Sequence, residues 1–462
     1  MTRESSDLTL AGIVVTPHRP PFRGAVRISG GVIVAVADHP GPAPPARLVD
    51  VGDRYILPGF VDAHVHASSR PEEGIARATA AAAAGGVTTV IDMPYDAPQP
   101  IDHPERLLTK GERVARDAHV DLALLGTVPP RDGATLVPEL LKAGACGIMV
   151  SLWEQDPGRY PRIEYGELRK IFHETAAAAG IVSVHAETDA IIRPLLSEVR
   201  ERADVKDWRL HAWSRPPVAE THAVLTALEF AREAGARVHL HQLSLARSFD
   251  LVARYRGEGA LATGETLVHH LLFEEDDLAT AGGRLKINPP LRSAANRQGL
   301  WDRLASGAIA IVASDHSPWP IGVKTRREVL RNESGMPGLE TFPSILLSEA
   351  LARGLPLERI VQVAAHTPAQ TFGLGSAKGD IRPGLDADLI VFDPAVTWTV
   401  DRDTLQTSAR WDPYEDRRIA GKVITTIARG RVVWDGTRML AEPGWGRWVR
   451  PGADRPVAAA TA

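Results

Sequence analysis

"GIARATAAAAAGGVTTVIDMP", residues 74–94, decides the fold. Its first half is alanine-rich and favours helix, a Gly-Gly pair stops it, and a β-branched apolar run follows. The same order recurs: "YGELRKIFHETAAAAG" (165–180) leads into "IVSVHAE" (181–187), and "AVLTALEFAREAG" (223–235) into "ARVHLHQLS" (236–244). Helix alternating with short apolar strand predicts βα units and a parallel sheet. The simplest such α/β architecture is an eight-fold (β/α)8 barrel of the TIM type.

Outward from that region the pattern changes at both ends. Residues 8–38, "LTLAGIVVTPHRPPFRGAVRISGGVIVAVAD", read as short strands broken by Pro and Gly-Gly turns. After Gly379, "DADLIVFDP" (386–394), "TWTV" (397–400) and "ITTIARGRVVWDG" (424–436) read as strands again and can complete the sheet that the N-terminus begins. The expected organisation is a composite β domain from 1–57 and 379–445, a barrel over 58–378, and a tail over 446–462. The Pro- and Ala-rich "RPGADRPVAAATA" (450–462) is expected to fray.

The bulk chemistry narrows the partners. A net charge of −4, with 24% charged residues and no basic run, argues against nucleic acid or an anionic membrane. No window has the length of a membrane span, and "MTRESSDLTL" (1–10) lacks a signal-peptide layout. Cys146 is the only cysteine, which rules out an internal disulfide and points to the cytoplasm.

In such a barrel, chemistry collects where strands end. "FVDAHVHAS" (60–68) puts His64 and His66 two apart, on one side of a strand. "IVSVHAE" ends with His185 near its close, "RVHLHQLS" (237–244) supplies His239 and His241, and "IAIVASDHSP" (309–318) brings Asp315 after a late strand. Imidazoles and a carboxylate converging at a barrel mouth suit Zn²⁺ or a similar borderline metal with one open position. His211, His222, His269, His270 and His366 have weaker contexts and stay unassigned.

These residues sit within an ordered set of motifs: "ILPGFVDAHVH", "GGVTTVIDMP", "KINPPLR", "SDHSP", "GMPGLET" and "HTPAQTFGL…KGDIRPGLDADLIVFD". Over nearly its whole length the chain thereby resembles the cyclic amidohydrolases, the dihydroorotase, allantoinase and dihydropyrimidinase/hydantoinase branch of the amidohydrolase superfamily. The resemblance implies a metal-bearing (β/α)8 barrel with a small β-sandwich from both termini, and a homo-oligomer, dimer or tetramer. It carries the HxH ligands onto His64 and His66, the fifth-strand ligand onto His185, and the eighth-strand ligand and general base onto Asp315. Asn288 falls on a loop that helps hold the substrate ring.

Two positions depart from the pattern. In "AGACGIMVSLW" (143–153), Met149 stands where the family carries the lysine that is carboxylated to bridge two metals. In "RVHLHQLS", an ungapped match puts Gln242 on the sixth-strand histidine, and a one-residue shift puts His241 there; the spacing leaves both open. Without the carbamate, nothing offsets the repulsion between two adjacent cations. The expectation is therefore a single Zn²⁺, or another divalent ion such as Mn²⁺, held by His64, His66, His185 and Asp315. Met149 is expected to fill the lysine's space with apolar volume. Asp315 is expected to act as base and His241 to polarise the carbonyl.

The expected reaction is hydrolytic opening of a cyclic amide, imide or ureide. A deaminase-type hydrolysis of an exocyclic group, or an inactive dihydropyrimidinase-like scaffold, are the alternatives. "HVHASS" and "MPYD" lack the Arg and Asn that dihydroorotases resembling this chain place there, which disfavours dihydroorotate. Tyr95 and Trp153 are expected to line the pocket and suit a flat ring.

Overall fold

The alanine-rich stretch folds as its composition dictates. Residues Gly74–Gly85 form a helix and Val87–Asp92 a strand. Gly86 joins them at φ 101°, donating its N–H to the Ala82 and Ala83 carbonyls. A side chain there would meet both a left-handed backbone and the methyls of Val423 and Ile390. This computed structural model describes residues 8–38, 47–201 and 207–452.

The strands run in chain order as β1 (Leu8–Val14), β2 (Phe22–Ser29), β3 (Val32–Ala37), β4 (Arg47–Pro58), β5 (Phe60–Val65), β6 (Val87–Asp92), β7 (Asp121–Leu124), β8 (Ile148–Ser151), β9 (Ile181–His185), β10 (Arg237–His241), β11 (Ala262–Leu267), β12 (Ile311–Ala313), β13 (Leu389–Trp398), β14 (Ile419–Ala428) and β15 (Arg431–Trp434). β5 to β12 are the barrel. They form two parallel stretches, β5-β6-β7 and β8-β9-β10-β11-β12. Backbone bonds close the two seams. Met149 donates to the Gly126 carbonyl at 2.7 Å beside β7, and His66 donates to the His316 carbonyl at 3.0 Å between β5 and the end of β12. Every residue of β5 through β9 is buried, as expected of parallel strands covered on both faces.

The chain ends build the second module. Its seven-stranded sheet runs β15-β14-β13-β4-β1-β2-β3, so strands from the two termini meet where β4 pairs β13. The β2–β3 turn bonds back to the segment entering β13: Ile33 donates to Leu385, and Ala387 to Gly31, both at 2.9 Å. The sheet thus folds over a core that includes Leu10, Val26, Ile56, Leu389 and Ile427.

The seam between the modules holds a buried ionic cluster. Lys378 Nζ lies 2.6 Å from Asp121 of β7, 2.9 Å from Asp386 and 2.6 Å from Asp388. Arg429 pairs with Asp121, and its backbone N–H donates to Asp388.

The start of the expected tail, ahead of the stretch expected to fray, is docked. Arg447 accepts from the Leu122 N–H at 2.9 Å, and Val449 donates to Leu122 at 2.8 Å, which ties this segment to β7. The indole of Trp448 lies directly over Gly111, on the helix Pro104–Asp117, so tightly that a Cβ there would clash. Burying this apolar surface and pairing the backbone offsets the entropy that frays a free end. Residues 453–462 lie outside the described residues. No described helix is long and apolar enough to cross a membrane.

Candidate active site

Three of the expected residues meet at the barrel mouth. His64 Nε2 lies 3.3 Å, and His66 Nε2 3.4 Å, from the same oxygen of Asp315. One ligand atom from each of His64, His66 and Asp315 falls within 4.8 Å of the others. Asp315 follows β12 with φ 48°, a left-handed backbone that an aspartate tolerates better than most residues. Such outliers gather at functional sites.

A residue that the strand pattern did not single out organises the floor. Glu265 of β11 is fully buried and touches three imidazoles: His64 Nδ1 at 2.7 Å, His241 Nδ1 at 3.0 Å and His239 Nε2 at 3.1 Å. A carboxylate only accepts, so it fixes the proton of His64 on Nδ1 and leaves Nε2 as a donor to a metal. The signal was a lone acidic residue in the otherwise uncharged run "ATGETL" (262–267).

The electrostatics favour a cation. Burial alone would depress His64, but Asp315 and Glu265 outweigh it and lift the imidazole to about 9. Burial would raise the Asp315 carboxyl, yet His64 and His66 hold it below its ordinary value. Burial pushes His241 down to about 3, so that ring is neutral. Two ionised carboxylates thus draw positive charge onto His64, the charge that a divalent ion at its Nε2 would supply in place of the proton. That donor set, two nitrogens and one oxygen backed by a second carboxylate, fits a divalent ion.

Not every expected ligand joins. His185 turns Nε2 to Glu187 at 2.9 Å, while Glu187 also holds Arg215 at 2.6 Å. A chain of ring contacts through two stacked tyrosines links His66 to His185. Tyr95 and Tyr160 lie 3.6 Å apart, Tyr95 facing His66 and Tyr160 meeting His185 edge-on. His185, with its Nε2 on Glu187, does not fall within the His64–His66–Asp315 group. His241 turns its Nδ1 to Glu265 with its ring 4.8 Å from that of His64, and is not among the residues that line the cavity. Gln242 lines the cavity instead, at φ 48°, with its amide donating to the Asn288 carbonyl at 2.8 Å. Met149 is fully buried in the same apolar core as Cys146 and Leu152.

The cavity encloses ≈ 730 Å³ including its open mouth, and is lined by His66, Tyr95, Tyr160, Gln242, Asn288 and Asp315 among others. The side-chain oxygen of Asn288 is buried without a partner, as a substrate-binding group would be before its ligand arrives. Trp153 is elsewhere. It lines the adjoining cavity with the Arg215 guanidinium 4.6 Å over its ring, because that cation anchors it outside the mouth. Arg70 and Arg159 line the mouth, so the pocket has arginines that the motif comparison alone did not place there.

Glu265→Gln is expected to weaken metal binding by roughly 10–100-fold, the usual effect of removing a ligand's hydrogen-bond partner. Competition with a chromophoric chelator would measure it. An unchanged affinity would mean that Glu265 serves packing alone.

Comparison with known proteins agrees with the geometry. The model of the amidohydrolase family matches residues 55–433. An allantoinase of Rubrobacter xylanophilus is 36% identical over 92% of this chain and 94% of its own length. An L-hydantoinase of Paenarthrobacter aurescens is 31% identical over 92% and 93%. The solved structure of the L-hydantoinase (dihydropyrimidinase) from Arthrobacter aurescens superposes with a TM-score of 0.92 at 29% identity, over 96% of this chain and 100% of that one. With its closed eight-strand barrel, its two-ended sheet and its HxH–Asp cluster, this chain belongs to the amidohydrolase family, in the cyclic-amidohydrolase branch.

Proposed function

We propose that this metal-dependent hydrolase of cyclic amides opens a hydantoin- or ureide-type ring with a single divalent ion, zinc or manganese, on His64, His66 and Asp315. The observation that carries the reading is the gathering of those three residues, two of them lining the cavity, while His185 turns to Glu187. A divalent ion held there supplies Lewis acidity, which brings the pKa of water toward neutrality and polarises a carbonyl. The chain does the rest. Asp315 faces the cavity and accepts the proton of the attacking water. As the ring C–N bond breaks, it returns that proton to the leaving nitrogen, so one water is consumed and a ring-opened acid is formed. Asn288 and Gln242 offer amide groups to the ring, and the edge of the Tyr95–Tyr160 pair offers a flat apolar wall. Arg70 and Arg159, each already beside a carboxylate (Glu72 and Asp156), leave room for a polar substituent at the mouth.

Support for a cytoplasmic homo-oligomer is the lone buried Cys146, which needs no oxidising compartment, and the assembly habit implied by the resemblance. The reaction is tested by incubating the protein with hydantoin, allantoin and dihydroorotate and following ring opening. Turnover that is lost on chelation and regained with zinc or manganese is expected. Release of ammonia without ring opening would overturn the assignment. Ion count is read separately from the electron paramagnetic resonance of the Mn²⁺ form. An uncoupled signal is expected, and an exchange-coupled pair would sink the single-ion reading.

A further inference from the structure

A second trio with metal-binding chemistry lies away from the barrel mouth. One ligand atom from each of His18, His366 and Asp380 lies within 4.8 Å of the others. His18 belongs to the loop between β1 and β2, and Asp380 to the segment before β13. His366 closes Gln362–His366, which winds as a single π-turn, a form that recurs at functional sites. His18 Nε2 is 3.1 Å from Asp380 Oδ2, and the two imidazoles meet edge to face at 5.1 Å.

The arrangement is held in place before any ion arrives. The Gln362 side-chain amide donates to the Pro17 carbonyl at 2.9 Å, so the backbone just before His18 is fastened to the same turn that presents His366. The other oxygen of Asp380 accepts the Ile381 N–H at 2.7 Å, which aims the free oxygen at His18. His366 Nδ1 is buried without a hydrogen-bond partner. An ordinary His–Asp ion pair accounts for two of these residues and leaves the third imidazole unexplained. The opposing charge is Arg382, 3.8 Å from the same Asp380 oxygen, and its half-exposed side chain can leave for solvent.

We propose that His18, His366 and Asp380 bind a borderline divalent cation of the zinc type, completed by water, and so pin the β1–β2 loop to the barrel. Two imidazoles and one carboxylate form a zinc-type donor set. The 3.1 Å between the His18 and Asp380 atoms is close to the ligand–ligand edge, roughly 3.3 Å, of a tetrahedron with bonds of about 2.0–2.1 Å.

Equilibrium dialysis against Zn²⁺ tests it on the full chain. His18→Ala removes a side chain that is 63% exposed, so the fold is not at stake. That variant and His366→Ala are each expected to bind one equivalent fewer than the wild type. Asp315→Ala should retain the His18-dependent equivalent, which separates it from the catalytic ion. Zinc should also raise the melting temperature of the wild type more than that of His18→Ala. Equal stoichiometry in wild type and His18→Ala, or His18-dependent binding only at millimolar zinc, would overturn the proposal.

Discussion

Asp315→Asn is expected to lower kcat for cyclic-amide hydrolysis by roughly 10²–10⁴-fold, the usual contribution of a positioned acid–base group. Asparagine keeps the shape of the side chain and tolerates the left-handed φ of 48°. The fold should therefore survive while the proton acceptor is lost. The amide also gives the ion a weaker ligand, so rates belong at saturating metal, with KM recorded alongside. A variant that keeps kcat within about tenfold of wild type would show that some other group takes the proton.

Lys378→Met is expected to cost stability instead, by roughly 3–5 kcal/mol, the range for breaking a buried charge cluster from one side. Its ammonium, almost wholly buried, sits among three carboxylates, and the variant would remove that charge while Arg429 stays on Asp121. The sign with pH follows from Asp121. Burial would raise that carboxyl, but Lys378 and Arg429 hold it far below its ordinary value of 3.8. A lowered acid stabilises the fold above its unfolded pKa, and loses that contribution as pH falls through its folded one. The gap between wild type and Lys378→Met should accordingly be wide at neutral pH, begin to close below pH ~4, and keep closing as acid reaches the lowered carboxyl. Denaturant melts at several pH values would measure it. A gap that stays constant into acid would mean that the lysine contributes packing rather than charge.

Much of this was legible before any coordinates. Alanine-rich helices that stop at Gly and give way to β-branched runs announce a parallel barrel, because each element type leaves its own period in the chain. His64, His66 and Asp315 were legible because strand ends in a barrel share one face. What escaped depended on side-chain choices that spacing does not encode. His185 sits where a ligand would sit, but its neighbour Glu187 offers a nearer partner. Gln242 takes the cavity from His241 because its left-handed backbone breaks the strict alternation of a strand. Tyr160 comes from a long loop with no periodic signal, yet it stacks on Tyr95 and lines the cavity beside it.

The two-ended sheet also bears on how the molecule is made. β1 and β4 emerge from the ribosome before the barrel, but β4's neighbour β13 is synthesised more than three hundred residues later. The docking of Arg447 and Val449 on β7 comes later still. Until then the N-terminal strands present an unpaired apolar edge, and pairing across so long a loop is intrinsically slow. Emergence of β13 and of the segment that docks on β7, rather than completion of the barrel, should therefore be the event that commits it to the native state.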